Sequence, residues 1–76
     1  MNEQQDLLLR LGFSLAELGN QMQKRRDKIE ELLAQGISPD APEPVQLAKE
    51  YRLLQSQFAS LEAQFQETKA ALFPNE

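Results

Sequence analysis

The fold of this chain is decided by nine residues near its middle, Gly36-Ile37-Ser38-Pro39-Asp40-Ala41-Pro42-Glu43-Pro44. They hold three of the chain's four prolines, and they begin with a glycine, which suits the left-handed residue just past a helix C-terminus. Each proline disfavours helical geometry in the residue before it, so a helix arriving from the N-terminal side must end here. Pro44 can occupy the first turn of a following helix, where no backbone donor is needed. This segment therefore predicts a turn between two helices.

Apolar residues on both sides of this turn recur at alternating spacings of three and four residues, which predicts one apolar stripe, or seam, along each helix. The first seam is Leu8, Leu11, Leu15, Leu18, Met22, Arg25, Ile29 and Leu32. The second seam is Leu47, Tyr51, Leu54, Phe58, Leu61, Phe65, Thr68 and Leu72. Each seam has one polar member. We therefore predict helices at roughly 3–35 and roughly 43–72, the second ended by Pro74.

The short connection and the similar helix lengths predict an antiparallel hairpin with seam against seam. Matching the helix ends places Ile29 near Leu47, Arg25 near Tyr51, Met22 near Leu54, Leu18 near Phe58, Leu15 near Leu61 and Leu11 near Phe65. A register shifted by one heptad is the alternative, but it leaves the first ten residues without a partner. We predict an all-α fold in which residues 1–76 form one coiled-coil-like helical hairpin that assembles into a four-helix bundle.

The size and composition of the chain favour association with another protein. A chain of 76 residues has a small core, and this one has neither cysteine nor histidine to supply disulfides or the usual metal ligands. Formation of a homodimer is the simplest remaining way to stabilise so small a core. The formal net charge of -4 argues against a nucleic-acid partner.

A candidate protein interface lies on the first helix away from its seam. Leu9 and Phe13 are four residues apart on the outer side, and Gly12, Ala16 and Gly19 form a strip of small residues nearby. Two interior glycines cost about 1 kcal/mol each relative to alanine, which a close helix approach can offset. The alternative is a hairpin with ragged apolar edges. Other apolar residues outside the second seam are Leu53, Ala59, Ala63, Ala70 and Phe73.

A basic segment near the turn keeps nucleic acid as a second hypothesis. An antiparallel hairpin brings together six cations, Lys24, Arg25, Arg26, Lys28, Lys49 and Arg52. Helical hairpin dimers can bind RNA through a helix face, so these cations are a possible anion or RNA patch. Interleaved acids can neutralise them by near-neighbour pairs, which is the commoner arrangement; these acids are Asp27, Glu30, Glu31 and Glu50. Arg25 is a seam member, which predicts either stacking on Tyr51 or a polar device that fixes register.

The sequence has few of the residue types that catalyse reactions. It has no histidine, cysteine or glycine-rich phosphate loop, and its serines have no base to activate them. We therefore expect no enzymatic activity, cofactor, metal or small-molecule substrate. Residues 1–6 lack the positive charge of a signal peptide, and no apolar run approaches the roughly 20 residues that span a bilayer, so we expect a cytoplasmic protein with no membrane partner.

Two stretches carry a family resemblance: Leu33-Ala34-Gln35-Gly36-Ile37-Ser38-Pro39-Asp40, and Leu54-Gln55-Ser56-Gln57-Phe58-Ala59-Ser60-Leu61-Glu62. The chain resembles the small helical-hairpin co-chaperones of type III secretion needle subunits, in which a helix ends at an Ala-x-Gly turn and a Gln- and Ala-rich helix follows. The resemblance implies a cytoplasmic chaperone that holds an aggregation-prone subunit. The proline segment at 41–45 departs from the family as an insertion. We expect a non-enzymatic protein-interaction module that associates with itself or serves as an adaptor or chaperone subunit.

Overall fold

A computed structural model of the chain describes residues 2–74, and this part is all-helical. Helix α1 is Glu3–Ala34 and helix α2 is Pro42–Leu72. They pack against each other in a rod with extents of 51 × 19 × 16 Å. The predicted all-α hairpin is confirmed, and each inner helix end lies one residue before its predicted position. Neither helix contains a stretch long and apolar enough to cross a membrane within residues 2–74.

Helix α1 begins with a reciprocal pair of hydrogen bonds at its N-terminus. The Gln5 backbone N–H donates to Asn2 Oδ1 at 2.8 Å, and the Asn2 backbone N–H donates to Gln5 Oε1 at 3.2 Å. Two backbone donors that lack helical partners are satisfied in this way, so the helix start is fixed by local sequence.

Gly36 ends helix α1 in the left-handed conformation that the sequence predicts, with φ +87°. The Gly36 N–H donates to the Leu33 carbonyl at 3.0 Å, and the Ile37 N–H donates to the Leu32 carbonyl at 3.1 Å. These bonds satisfy two carbonyls of the last turn and redirect the chain.

Helix α2 starts at Pro42, a first helical position that suits proline because no N–H is required there. Pro44 lies in the same turn, as predicted, and it is buried. Ala41 supplies no side-chain cap, and Ser38 orders the preceding turn instead. The Ser38 Oγ accepts from the Asp40 N–H at 3.2 Å, and the Ser38 carbonyl accepts from the Ala41 N–H at 3.0 Å.

Both predicted seams form the contact between the helices. Every seam residue is buried or half-buried, and the two most enclosed are Leu11 and Leu32, at 6% and 4% exposure. The Thr68 hydroxyl donates to the Gln64 carbonyl at 2.9 Å, so this polar seam member is satisfied within its own helix.

The unshifted register is confirmed by contacts at two levels of the rod. A Cβ placed on Gly12 would lie 3.7 Å from Cε2 of Phe65, and one on Gly19 would lie 4.0 Å from Cε2 of Phe58. A one-heptad shift would displace these groups by about 10 Å along the axis. The register is therefore the one obtained by matching helix ends. Assembly of the hairpin into a four-helix bundle stays a prediction.

Candidate protein-interaction surface

One broad side of the hairpin exposes parts of aromatic rings, because small residues lie beside these rings. It has adjoining depressions lined by Gly19, Met22, Gln23, Arg26, Tyr51 and Phe58, and by Arg26, Ile29, Ala48, Tyr51 and Arg52. Gly12 lies on the same edge, against the ring of Phe65. We call this side the glycine face.

Large exposed apolar residues extend the glycine face at both ends. Positions seven residues apart share a face in a coiled coil, which places Leu33 in line with Arg26, and Leu9 in line with Gln23. By the same spacing, Val45 and Phe73 share the side of α2 that carries Arg52. All four side chains are exposed; Leu9 and Phe73 lie at the terminal end of the rod, and Leu33 and Val45 at the turn end.

The opposite broad side has more polar side chains around its groove, although most of the groove surface itself is apolar. Its groove is lined by Ser14, Glu17, Leu18, Gln21, Gln57, Ser60 and Leu61, so hydroxyl, amide and carboxylate groups surround two seam leucines. We call it the amide face. The difference between the two faces makes the glycine face the stronger candidate for a partner, because burying unpaired amides costs free energy and burying apolar groups gains it.

The outer surfaces of the helices carry isolated apolar side chains. Phe13 on α1 is 74% exposed and Leu53 on α2 is 63% exposed. Phe13 shares a shallow depression with Ala16, Glu17, Asn20, Gln21 and Lys24, which is mostly polar. The sequence predicts one outer patch formed by Leu9 and Phe13, and the structure confirms that both are exposed.

The predicted strip of small residues is divided by the structure. Ala16 is exposed, whereas Gly12 and Gly19 are half-buried against rings of α2. Distances of 3.7 and 4.0 Å from these rings to an added Cβ are ordinary van der Waals contacts, so alanine fits at either position. The close approach therefore does not require glycine on steric grounds, and what glycine adds is exposure of the Phe65 and Phe58 rings on the glycine face.

The six predicted basic residues do not share one side of the hairpin. Lys24 lines the outer depression beside Phe13, whereas Arg26 and Arg52 line the glycine face. Lys28 pairs with Glu31 at 3.6 Å, and Lys49 is exposed. The cations are thus distributed around the rod, and two of them, Arg25 and Lys28, have acidic partners.

Arg25 forms an ion pair across the two helices. Its Nε lies 3.3 Å from Glu50 Oε1, and its Nη1 donates to the Gln21 carbonyl at 3.4 Å. Both side chains of the pair keep contact with solvent. An ion pair between the helices is compatible with a polar seam member that fixes the register; the register role and the stacking on Tyr51 both stay predictions.

The chemistry available for metal binding is sparse in the part of the chain that the structure describes, where no three carboxylates, imidazoles or thiols come together. Every side-chain nitrogen and oxygen buried there has a hydrogen-bond partner.

The hairpin exposes more surface than a globular monomer of its mass. An 8.7 kDa monomer is expected to expose about 4,700 Å², and this chain exposes 5,675 Å². The excess arises because each helix in a two-helix rod buries only one stripe.

Comparison with known proteins gave no relative: no protein-family model matches the chain, and no curated protein or solved structure is significantly similar to it.

Proposed function

We propose that this protein is a non-enzymatic, helical protein-interaction module. The observation that carries the proposal is the imbalance between its buried and exposed apolar residues. In the described part of the chain only Leu11 and Leu32 are buried core leucines. Seven large apolar side chains are exposed there, namely Leu7, Leu9, Phe13, Leu33, Val45, Leu53 and Phe73.

This imbalance favours binding because apolar surface gains free energy when it leaves water. Full burial of one large apolar side chain contributes about 1.5–3 kcal/mol. Four of the exposed residues belong to one side, the glycine face, instead of being scattered singly. Two of them lie at each end of this face, and grouped exposed apolar side chains favour an interface more than single ones do.

The module can associate with a second copy of itself, or it can serve as an adaptor or chaperone subunit. A chaperone that shields an apolar helix of its client, as the resemblance implies, is one form of the same function. RNA binding is the alternative, and the separation of Lys24 from Arg26 and Arg52 on different sides of the rod favours a protein partner instead.

The test is recovery of the tagged chain from its native host, with the bound protein and RNA quantified separately. We expect either a second protein in stoichiometric amount or two copies of the chain itself, and no enrichment of RNA. A variant with Lys24→Ala and Lys49→Ala provides the control, because it removes two exposed cations outside the glycine face and should leave protein recovery unchanged. RNA that is enriched with the parent chain and lost in this variant would overturn the proposal.

A further inference from the structure

We infer that the glycine face binds a second copy of this chain in the opposite orientation, so that the two turns lie at opposite ends of a four-helix bundle. This inference rests on the proposed function and adds to it the surface, the partner and the orientation.

The exposed area has the size that such a dimer requires. The chain exposes about 900 Å² more than a globular monomer of equal mass. A stable interface typically buries about 800 Å² on each partner. Covering one broad side of each hairpin would therefore bring the exposed area per chain close to that of an ordinary folded protein.

The shape of the glycine face suits contact with a copy of itself. Small residues lie near its middle. Gly19 is near the midpoint of α1, beside Tyr51 and Phe58, and Ala59, which shares the side of Arg52 by the seven-residue spacing, is near the midpoint of α2. Larger side chains lie toward the ends, with Leu9 at one and Leu33 at the other. A two-fold axis through the middle brings small residues together, where two backbones can approach closely, and a two-fold arrangement makes the same patch serve both partners.

Charge determines the orientation. Arg52 and Glu62 lie five residues on either side of Gln57, the midpoint of Pro42–Leu72. By the heptad spacing, Glu62 follows the glycine-face residue Ala48 by fourteen residues and shares its side. When two copies of α2 cross in opposite directions about that midpoint, each Arg52 meets the Glu62 of the other copy.

The parallel orientation lacks this complementarity. Arg26 and Arg52 line one depression in each chain, so placing two hairpins side by side in the same direction would bring four arginines to one level. Opposite charges across an interface steer association, whereas juxtaposed like charges oppose it. The antiparallel arrangement separates the two arginine pairs and gives each an acidic neighbour.

Orientation can be measured directly because the chain has no cysteine. In the variant Asp40→Cys a spin label at the exposed turn is unique to each chain, and electron–electron dipolar spectroscopy reports the distance between labels. We expect about 50 Å, since the rod is 51 Å long. Labels within about 20 Å, roughly two helix diameters, would overturn the antiparallel orientation.

The surface is tested by two matched substitutions on α2. Ala59→Glu places a carboxylate on the glycine face, and Ala63→Glu places one on the outer surface a turn away; both alanines are exposed in the single hairpin. We expect Ala59→Glu to weaken dimerisation at least about tenfold, because a buried unpaired charge is costly, and Ala63→Glu to leave it unchanged. Circular dichroism of both variants verifies that the helices persist.

A rival surface is tested by Phe13→Glu, because Phe13 lies on the outer side of α1. Dissociation by Phe13→Glu with an intact Ala59→Glu dimer would overturn the inference and identify the outer surface around Phe13 as the interface.

A charge exchange tests the predicted contact between chains. Glu62→Arg should raise the dissociation constant, and adding Arg52→Glu to it should restore most of the affinity. The two positions are ten residues, about 15 Å, apart on one helix, so restoration requires a contact between chains. Absence of any restoration would overturn the pairing. A monomeric parent chain that recovers a different protein would overturn the self-association while leaving the proposed function intact; a monomer that recovers none would remove both.

Discussion

Glycine acts in two different ways in this hairpin. Gly36 has φ +87°, a conformation that side chains with a Cβ rarely adopt, so its role is in the backbone. Gly12 has ordinary helical geometry and lies beside the Phe65 ring with room for a methyl group. The first position needs glycine for its conformation, while the second tolerates a side chain and loses helix propensity by lacking one.

The same substitution should therefore have opposite effects at these positions. Gly36→Ala should lower the free energy of unfolding by about 1–2 kcal/mol, the cost of the left-handed conformation. Gly12→Ala should raise it by about 0.5–1 kcal/mol. Urea denaturation at one fixed protein concentration measures both. Destabilisation by Gly12→Ala would contradict the conclusion that a methyl group at position 12 fits beside the Phe65 ring.

Arg25 is the charged residue that interrupts the apolar seam of α1. Its partner Glu50 stays partly solvated, so removal of the arginine leaves a carboxylate that water can still reach. We expect Arg25→Leu to raise the free energy of unfolding by about 1 kcal/mol while loosening the register. Thermal unfolding measures the first effect and amide NMR line widths the second.

Glu50→Gln provides the control for this change, since it weakens the ion pair without adding apolar surface. A change within about 0.5 kcal/mol is expected from a partly exposed pair. Lower stability of Arg25→Leu would show that the Arg25 ion pair contributes more than its desolvation costs.

At the scale of the elements, the heptad pattern and the proline-rich turn predict both helices, and they favour the observed register over the one-heptad shift without excluding that shift. The spacing of the apolar residues determines which face of each helix is buried. Gly36 and Pro44 mark the turn by backbone geometry alone. The start of α2 at Pro42 was missed by one residue, because either of two neighbouring prolines can occupy a first turn. The partner of Arg25 could not be chosen because the tyrosine and the acid at 51 and 50 are both within reach of its long side chain.

Burial along the seam gives a test of the packing. Leu32→Ala should lower the free energy of unfolding by about 2–5 kcal/mol, since Leu32 is among the most enclosed side chains. Leu53→Ala removes the same atoms from an exposed position and should change it by no more than about 0.5 kcal/mol. Denaturant titration of the two variants checks the contrast, and equal losses would contradict the assignment of the seam.

At the scale of the whole molecule, the sequence indicated surplus apolar residues without showing which side of the rod collects them. Leu9 and Phe13 are neighbours on one helix and both are exposed, but the heptad spacing places Leu9 in line with Gln23 at the edge of the glycine face, whereas Phe13 lines a depression on the outer surface. The helix positions that flank the seams, which include Gly12, Leu33 and Val45, carry the signal for the glycine face. The glycine face can be recognised only when the register between the two helices is known, because each helix supplies only half of the face.

Sedimentation equilibrium over the micromolar range tests most directly whether the apolar surface of this hairpin is covered by protein. We expect a mass of two chains, twice 8.7 kDa, with dissociation only at lower concentration. A mass of 8.7 kDa throughout, from a chain that also recovers no partner protein from its host, would contradict a role in protein binding.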